Sequence, residues 1–248
     1  MILHLPHAST LIPKNLRQDF LLSDQELLEE LNRITDHATD AIFQGAFPKA
    51  NAIVFPVSRL VVDPERFSED SQEPMSQVGM GVTYTRGSLR QPLSKLPSQG
   101  KRQELLERYY IPNHQKLTEA VEESLLVSDL CLIIDGHSFP ALPLPYELEQ
   151  TAFRPDFCLG TDDFHTPEEL VERVETILES CGYSTARDQP FSGTIVPMKH
   201  YQKDGRVQSL MIEINRWLYL GEDYSVDSER VKALIEILRR IGEVLKEN

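Results

Sequence analysis

The run Ile133-Ile134-Asp135-Gly136-His137-Ser138 passes without a break from an apolar stretch into a carboxylate, a glycine, an imidazole and a hydroxyl. Near the start of the chain, Leu3-His4-Leu5-Pro6 leads in the same way to His7, Ala8 and Ser9. In open α/β proteins ligands sit at the carboxyl ends of strands, so polar groups emerging there are placed for chemistry. Two strand ends that each present a histidine can converge on one metal ion. Neither spacing matches a strong metal signature such as His-Glu-x-x-His, and each ring taken singly also reads as an ordinary hydrogen-bonded histidine at a loop start.

A hydrolytic metal site needs three protein ligands, an open position for water, and a separate carboxylate that moves protons. His7 and His137 supply two candidate ligands. Asp36, at the start of a helix after the first strand, is the best-placed carboxylate for the third. The general base falls to Glu213, which stands alone in the apolar run Ser209-Leu210-Met211-Ile212-Glu213-Ile214-Asn215. A lone carboxylate there is costly unless it pairs, binds something or faces a cleft; edge exposure or an ion pair with an arginine is the alternative.

Arginines form a second group. Arg59 and Arg66, seven positions apart, offer the planar fork of donors that bidentate carboxylate recognition requires, with local pairing to Asp63 or Glu65 as the plainer role. Asn215 and Arg216 follow Glu213 and are candidates for the same cleft. His4, His37, His114 and His165 read as structural. His200 and Tyr201 follow the loop Gln189-Pro190-Phe191-Ser192-Gly193-Thr194, whose glycine lets backbone approach a ligand, although loop packing accounts for both.

These residues must be positioned by strands and helices. Ser23-Asp24-Gln25-Glu26 has the form of a capping box, with Leu27, Leu28, Leu31 and Ile34 at helical spacing behind it. A second helix is expected over 36–47 and β structure over 52–57 and 60–62. Residues 68–100, rich in Ser, Gln, Pro and Gly, read as a long surface excursion that could serve as a lid. Helix is expected over 101–126 with a kink or break at Pro112, then a strand over 130–135. A helix over 167–181 opens on Thr166-Pro167-Glu168-Glu169 and stops at Gly182. A strand near Tyr183, a strand over 207–214 and a closing amphipathic helix over 228–246 complete the pattern. This alternation predicts an α/β fold with a mainly parallel sheet and helices on both faces, in a single domain over 1–248.

Composition sets the limits. The chain has 248 residues, long enough for one sizeable core, and no apolar run approaches the ~20 residues that cross a bilayer. Its start lacks the pattern of a secretory signal, so a cytoplasmic location is expected. Three widely spaced cysteines fit reduced thiols better than a disulfide framework or a thiolate metal cluster. With 25 basic and 39 acidic residues, the formal net charge of −14 argues against nucleic acid or anionic membrane as partner. An anionic substrate then needs local cationic help.

Taken together, the segments resemble the N-formylglutamate amidohydrolase family. The resemblance runs through His-Leu-Pro-His-Ala-Ser at 4–9, Thr35-Asp36-His37, Ser58-Arg59 and Val62-Asp63-Pro64-Glu65-Arg66. It continues through Tyr109-Tyr110-Ile111-Pro112-Asn113-His114, Asp135-Gly136-His137-Ser138, Pro155 to Thr161, Gln189 to Thr194 and Gln208 to Tyr219. Each block is weak alone, and their order over nearly the whole chain carries the resemblance. It implies a three-layer α/β/α fold of the phosphorylase/hydrolase type, related to zinc carboxypeptidases, and cleavage of a formyl amide from glutamate. It implies one zinc ion per chain at His7, Asp36 and His137, Glu213 as base and then acid, and substrate carboxylates on Arg59 and Arg66. Two departures bear on the substrate: Asp63-Pro64-Glu65-Arg66 stands where the family commonly has Asp-Leu-Asn-Arg, and Gly193-Thr194 replaces a glycine pair. The implied substrate widens to a small N-acyl amino acid. The alternatives are a catalytically silent protein that binds a small carboxylate, and a carboxypeptidase-like peptidase.

Overall fold

In the computed structural model, which describes residues 1–147, 149–151 and 153–245, the strands run β1 (Ile2–Leu5), β2 (Asn51–Val54), β3 (Cys131–Phe139), β4 (Phe157–Gly160), β5 (Thr185–Arg187) and β6 (Val207–Asn215). They join in one sheet of order β2-β1-β3-β6-β4-β5. The first four in that order are parallel, β4 runs antiparallel to β6, and β5 follows β4 in parallel. The helices are α1 (Asp24–Ile34), α2 (Thr39–Ala46), α3 (Gln99–Leu105), α4 (Ile111–Val127), α5 (Glu168–Ser180) and α6 (Ser228–Val244). The expected α/β architecture is the one observed: a mixed, mainly parallel sheet with helices on both faces.

Because side chains alternate along a strand, the sheet has two distinct faces. Leu3 and Leu5, Ile134, Leu210, Ile212 and Ile214, and Phe157 and Leu159 point one way and pack on α2, α5 and α6. The opposite face is apolar only at its start, where Ile2, Cys131, Ile133 and Val207 meet Leu117, Ala120 and Val121 of α4. Further along the same face the registered positions are His4, Asp135 and Met211, then His137 beside Glu213. One face therefore changes from core to chemistry over a few residues.

Gly136 makes this possible. A Cβ at that position would lie 2.7 Å from Leu5 and 2.9 Å from Phe43, so the apolar face closes on β3 only where the residue between Asp135 and His137 has no side chain.

A third cluster, including Leu27 and Ile34 of α1, Leu105 and Leu106, packs beside the sheet, corrects one expectation and refines another. Leu60, Val61 and Val62 form a buried turn there, not a strand. Residues 68–100 do run over the surface for most of their length, as expected, but the excursion is pinned by Met80, Val82, Tyr84 and Leu93, which are buried in this cluster. The polar character of the segment hid the alternating trio Met80, Val82 and Tyr84, and Leu93 nine residues on.

Smaller differences have local causes. The second helix starts at Thr39 and not at 36, because Ala38 takes a left-handed conformation (φ 58°). The strand expected over 130–135 runs to Phe139, so His137 lies within the sheet and not beyond it. The interruption expected at Pro112 takes the form of a π-helical turn, Leu106–Tyr110, between α3 and α4. Proline has no N–H for the carbonyl four residues earlier, and the wider turn absorbs the lost bond. α6 ends at Val244, and residue 246 of the expected span lies outside the described residues. No described helix is long and apolar enough to cross a membrane.

Candidate metal centre and catalytic cavity

His7 leaves β1 one residue after Pro6, and Asp36 meets it through a backbone bond, its N–H donating to the His7 carbonyl at 3.0 Å. Strand pairing supplies the other half: His137 and Glu213 are direct partners on neighbouring strands. The two imidazoles lie with ring centroids 5.0 Å apart. All four side chains are buried and line one cavity of about 520 Å³.

Each histidine is held from behind by acids. Nε2 of His7 donates to Asp63 at 2.9 Å. This fixes a neutral ring with its lone pair on Nδ1, and burial, followed by Arg59, keeps its pKa below the ordinary value. That Nδ1 is buried and has no hydrogen-bond partner among the described residues. Nδ1 of His137 faces Asp36 at 3.1 Å, while its Nε2 faces Glu65 at 3.2 Å and Asp135 at 3.3 Å. Burial opposes charge on this ring, but Glu65 and Asp135 outweigh it and raise its pKa well above the usual histidine range.

Two carboxylates therefore compete for the place of third ligand. The expected one, Asp36, presents Oδ2 to Nδ1 of both rings, at 3.1 Å and 3.8 Å, and its Oδ1 accepts from Arg216 at 2.8 Å. His137 and Arg216 hold its pKa below the carboxylate range against the opposing effect of burial. Glu65 lies 3.7 Å from His7 Nδ1 and forms a close donor group with His7 and His137. Asp135 in turn accepts from His4 at 2.9 Å, making His4 a buried partner of the site and not mere strand packing. The donor set, two imidazoles amid carboxylates with one imidazole nitrogen unpartnered, suits a divalent ion such as zinc.

Glu213 behaves differently from the other acids. Burial, then Asp36, pushes its pKa up to about 8, although His137 acts in the opposite direction. Its Oε2 has no partner among the described residues. A carboxyl poised near neutrality and free at one oxygen is suited to take and return a proton.

The arginines divide by what already occupies them. Arg59 donates to Asp63 from Nη2 at 2.8 Å and from Nε at 3.2 Å, so it faces the cavity from a fixed ion pair. Arg216 is fully used: Nε donates to Ser138, Nη1 to the Arg33 carbonyl and Nη2 to Asp36. Arg66 lines the cavity, and among the described residues its Nε has no hydrogen-bond partner, with the Asp63 carboxylate 3.7 Å away. Asn215 does not line the cavity. Its amide donates to the Pro155 carbonyl at 2.9 Å and accepts from the Trp217 N–H, which ties down the turn after β6.

The structure brings His7, Asp36, His137, Glu213, Arg59, Arg66 and Arg216 to one cavity, and adds Glu65, Asp63, Asp135 and His4 around them, which the sequence reading passed over. The loop carrying Asp63 and Glu65 is braced from α4 and the π turn, where His114 donates to the Pro64 carbonyl at 2.8 Å and Tyr110 to the Arg66 carbonyl at 3.0 Å. His37, His165 and His200 stand outside the cavity lining, as expected of structural histidines.

Residues 1–220 match the family model described as N-formylglutamate amidohydrolase. The fold is similar to the crystal structure of N-formylglutamate amidohydrolase from Ralstonia eutropha, with a TM-score of 0.82 and 24% identity, over 99% of this chain and 93% of that one. It is also similar to a gene product of Agrobacterium tumefaciens, with a TM-score of 0.72 and 18% identity, over 99% and 91% of the two chains. No curated protein matches the sequence.

Proposed function

Since the chain belongs to the N-formylglutamate amidohydrolase family, we propose that it hydrolyses the amide of a small N-formyl or N-acyl amino acid, using one zinc ion. His7 and His137 would hold the metal, with Asp36 as third ligand. The observation that carries this reading is the unpartnered Nδ1 of His7 beside His137, in the same cavity as the unpartnered Oε2 of Glu213. Asp36 is taken as the third ligand because it is fully buried, faces Nδ1 of both rings through Oδ2 and is fixed through Oδ1 by Arg216. Glu65, which reaches His7 Nδ1 and His137 Nε2, is the second candidate, and with either acid the remaining nitrogen of each ring donates to a carboxylate, the arrangement that usually orients metal-binding histidines.

When bound, zinc supplies a Lewis acid for the amide carbonyl and lowers the pKa of water toward ~7. The protein's own residues do the rest. Glu213 takes the proton of the attacking water and returns it to the leaving amine. Arg66, with free donors, binds the substrate carboxylate; Arg59, already paired with Asp63, adds positive charge to the cavity wall. Arg216 serves by holding Asp36 in place.

Metal content measured by mass spectrometry on protein purified without chelator, alongside His137→Ala, tests the centre. About one zinc per chain, lost in the variant, supports it; a chain that neither carries zinc nor takes it up would sink it. Asp36→Asn and Glu65→Gln then separate the two carboxylates, with loss of the metal expected only in the first and weakening in the second.

A further inference from the structure

Tyr146 is a polar residue of the main cavity that the proposed reaction leaves idle. Its ring is buried in the cluster beside the sheet, and the residue also lines the cavity. The hydroxyl makes no hydrogen bond among the described residues and is not enclosed by protein atoms, so it opens on the cavity. A buried tyrosine usually spends its hydroxyl on a protein partner. Tyr84, in the same cluster, does so by donating to Asp63 at 2.5 Å.

The turn that carries Tyr146 is braced. Glu147 donates its N–H to the Leu144 carbonyl at 3.0 Å, its Oε1 accepts from the Leu144 N–H at 2.9 Å, and its Oε2 is paired with Arg154. Arg154 in turn lies against Phe139 and Phe191, its guanidinium carbon 5.8 and 5.7 Å from the two ring centroids. The hydroxyl is thus held in place, and the charges that act on it are those of Arg59, Glu147, Arg66 and Arg216. Burial raises its pKa above the ordinary tyrosine value against the pull of the arginines, so at neutral pH it is a donor. Arg59 is already bound to Asp63, Arg216 to Asp36 and Glu147 to Arg154. Arg66 is the cation of this group with no carboxylate in hydrogen-bond distance among the described residues. An anion entering here meets two donors still free to receive it, a guanidinium and a phenol.

We propose that Tyr146 is a substrate-binding residue whose hydroxyl donates to the carboxylate that Arg66 holds, the two clamping the amino-acid half of the substrate. The inference rests on the amidohydrolase reading and adds a residue that orients its substrate. A bond to a carboxylate is made in the bound substrate and in the transition state alike, so its loss raises KM and leaves kcat unchanged. A bond to the reacting oxygen would act on kcat instead. Tyr146→Phe separates the two, because it keeps the ring in its cluster and removes only the oxygen.

The test is kcat and KM of the zinc-loaded wild type and Tyr146→Phe on N-formylglutamate and on its two mono-amides, N-formylglutamine and N-formylisoglutamine, each of which lacks one carboxylate. Binding of glutamate by calorimetry accompanies it. The expected result is a KM on N-formylglutamate raised about 10- to 100-fold with kcat changed by less than about twofold, and glutamate affinity weakened in step. The defect should vanish on the mono-amide that lacks the clamped carboxylate. An unchanged KM, a fall in kcat alone, or an equal defect on all three substrates overturns the proposal and leaves the amidohydrolase reading standing. Wild type that turns over neither these compounds nor their N-acetyl counterparts overturns the amidohydrolase reading, and glutamate affinity then decides on Tyr146: weakening in the variant supports the clamp, whereas equal binding or none in either chain overturns it.

Discussion

Four groups meet on the Asp63 carboxylate: the His7 ring, the Arg59 guanidinium, the Tyr84 hydroxyl at 2.5 Å and the Glu65 backbone N–H at 3.0 Å. The residue is fully buried and touches no substrate in the proposed arrangement, so its work is to orient others. Asp63→Asn removes the negative charge behind His7 and leaves a neutral amide that can accept from or donate to the ring, and is expected to weaken zinc binding by about 10- to 100-fold. Competition against a chelator of known affinity checks this, and an unchanged constant would show that the His7 tautomer is set elsewhere. Glu213→Gln should act on a different quantity. It keeps the shape of β6 and the metal ligands, so zinc content is retained while kcat falls by about 10²- to 10⁴-fold. Cysteine reactivity offers a check away from the site. Burial pushes the Cys158 thiol up to about 12, with Glu213 adding to the effect, and a raised pKa means less thiolate at any pH below it. Alkylation near pH 8 should therefore label the partly exposed Cys181 first and leave Cys158 unmodified in the native chain, as peptide mapping would show. At this scale the histidines and Glu213 were legible because each interrupts or ends an apolar run. Glu65 was visible only as an acid where the family has an amide, and His4 only as a polar residue in a strand, because the side chains of both owe their place to residues distant in the sequence, His7 and His137 for the first and Asp135 for the second.

Elements place these groups through strand alternation, and the most sensitive point is the residue with no side chain. Gly136→Ala drives a Cβ into Leu5 and Phe43 at 2.7 and 2.9 Å, an overpacking expected to cost about 1–3 kcal/mol. Because the displaced strand carries His137, zinc affinity should fall together with the denaturation midpoint; a variant that loses stability and keeps full zinc affinity would show that β3 can shift without moving its histidine. Helices and strands with regular periodicity were readable in advance. α1 opens on the expected capping box, with Ser23 accepting from the Glu26 N–H and the Glu26 side chain accepting from the Ser23 N–H. The 68–100 segment was less readable, since Met80, Val82 and Tyr84 alternate as in a strand but form none, and with Leu93 they find their partners in α1, α3 and the 60–62 turn. It also supplies Glu73, Pro74 and Met75 to the cavity, which makes the segment a wall anchored in a core.

For the molecule as a whole, the charge balance has a thermodynamic counterpart. A net charge of −14 accompanies a buried centre where Asp36, Asp63, Glu65 and Asp135 crowd two imidazoles. A cation that binds only the folded chain stabilises it by mass action. With free zinc at about 100 times its dissociation constant, the gain of about 2.7 kcal/mol corresponds to a Tm rise of roughly 5–10 °C for a chain of this size. Calorimetry with zinc and with chelator checks it; identical curves would count against a metal at this centre. The α/β class and the sheet with helices on both faces were legible from alternating strand and helix signals. The reversal of β4 against β6 was not, because nothing local in Phe157-Cys158-Leu159-Gly160 states its direction.

The two central strands have a further consequence. β3 is paired on both sides, by β1 and β6, and β6 likewise by β3 and β4. The backbone of Glu213 is thus paired on both sides, with His137 and Cys158, and that of His137 is paired with β6, two residues beyond the last β1 pairing at Asp135, while much of the cavity wall comes from turns and loops. Amide hydrogens of β3 and β6 should exchange with deuterium only on global unfolding, whereas those of 64–75 and 189–194 exchange through local opening. The reacting groups then form a fixed anvil, and adjustment to molecules of different length falls to the surrounding walls.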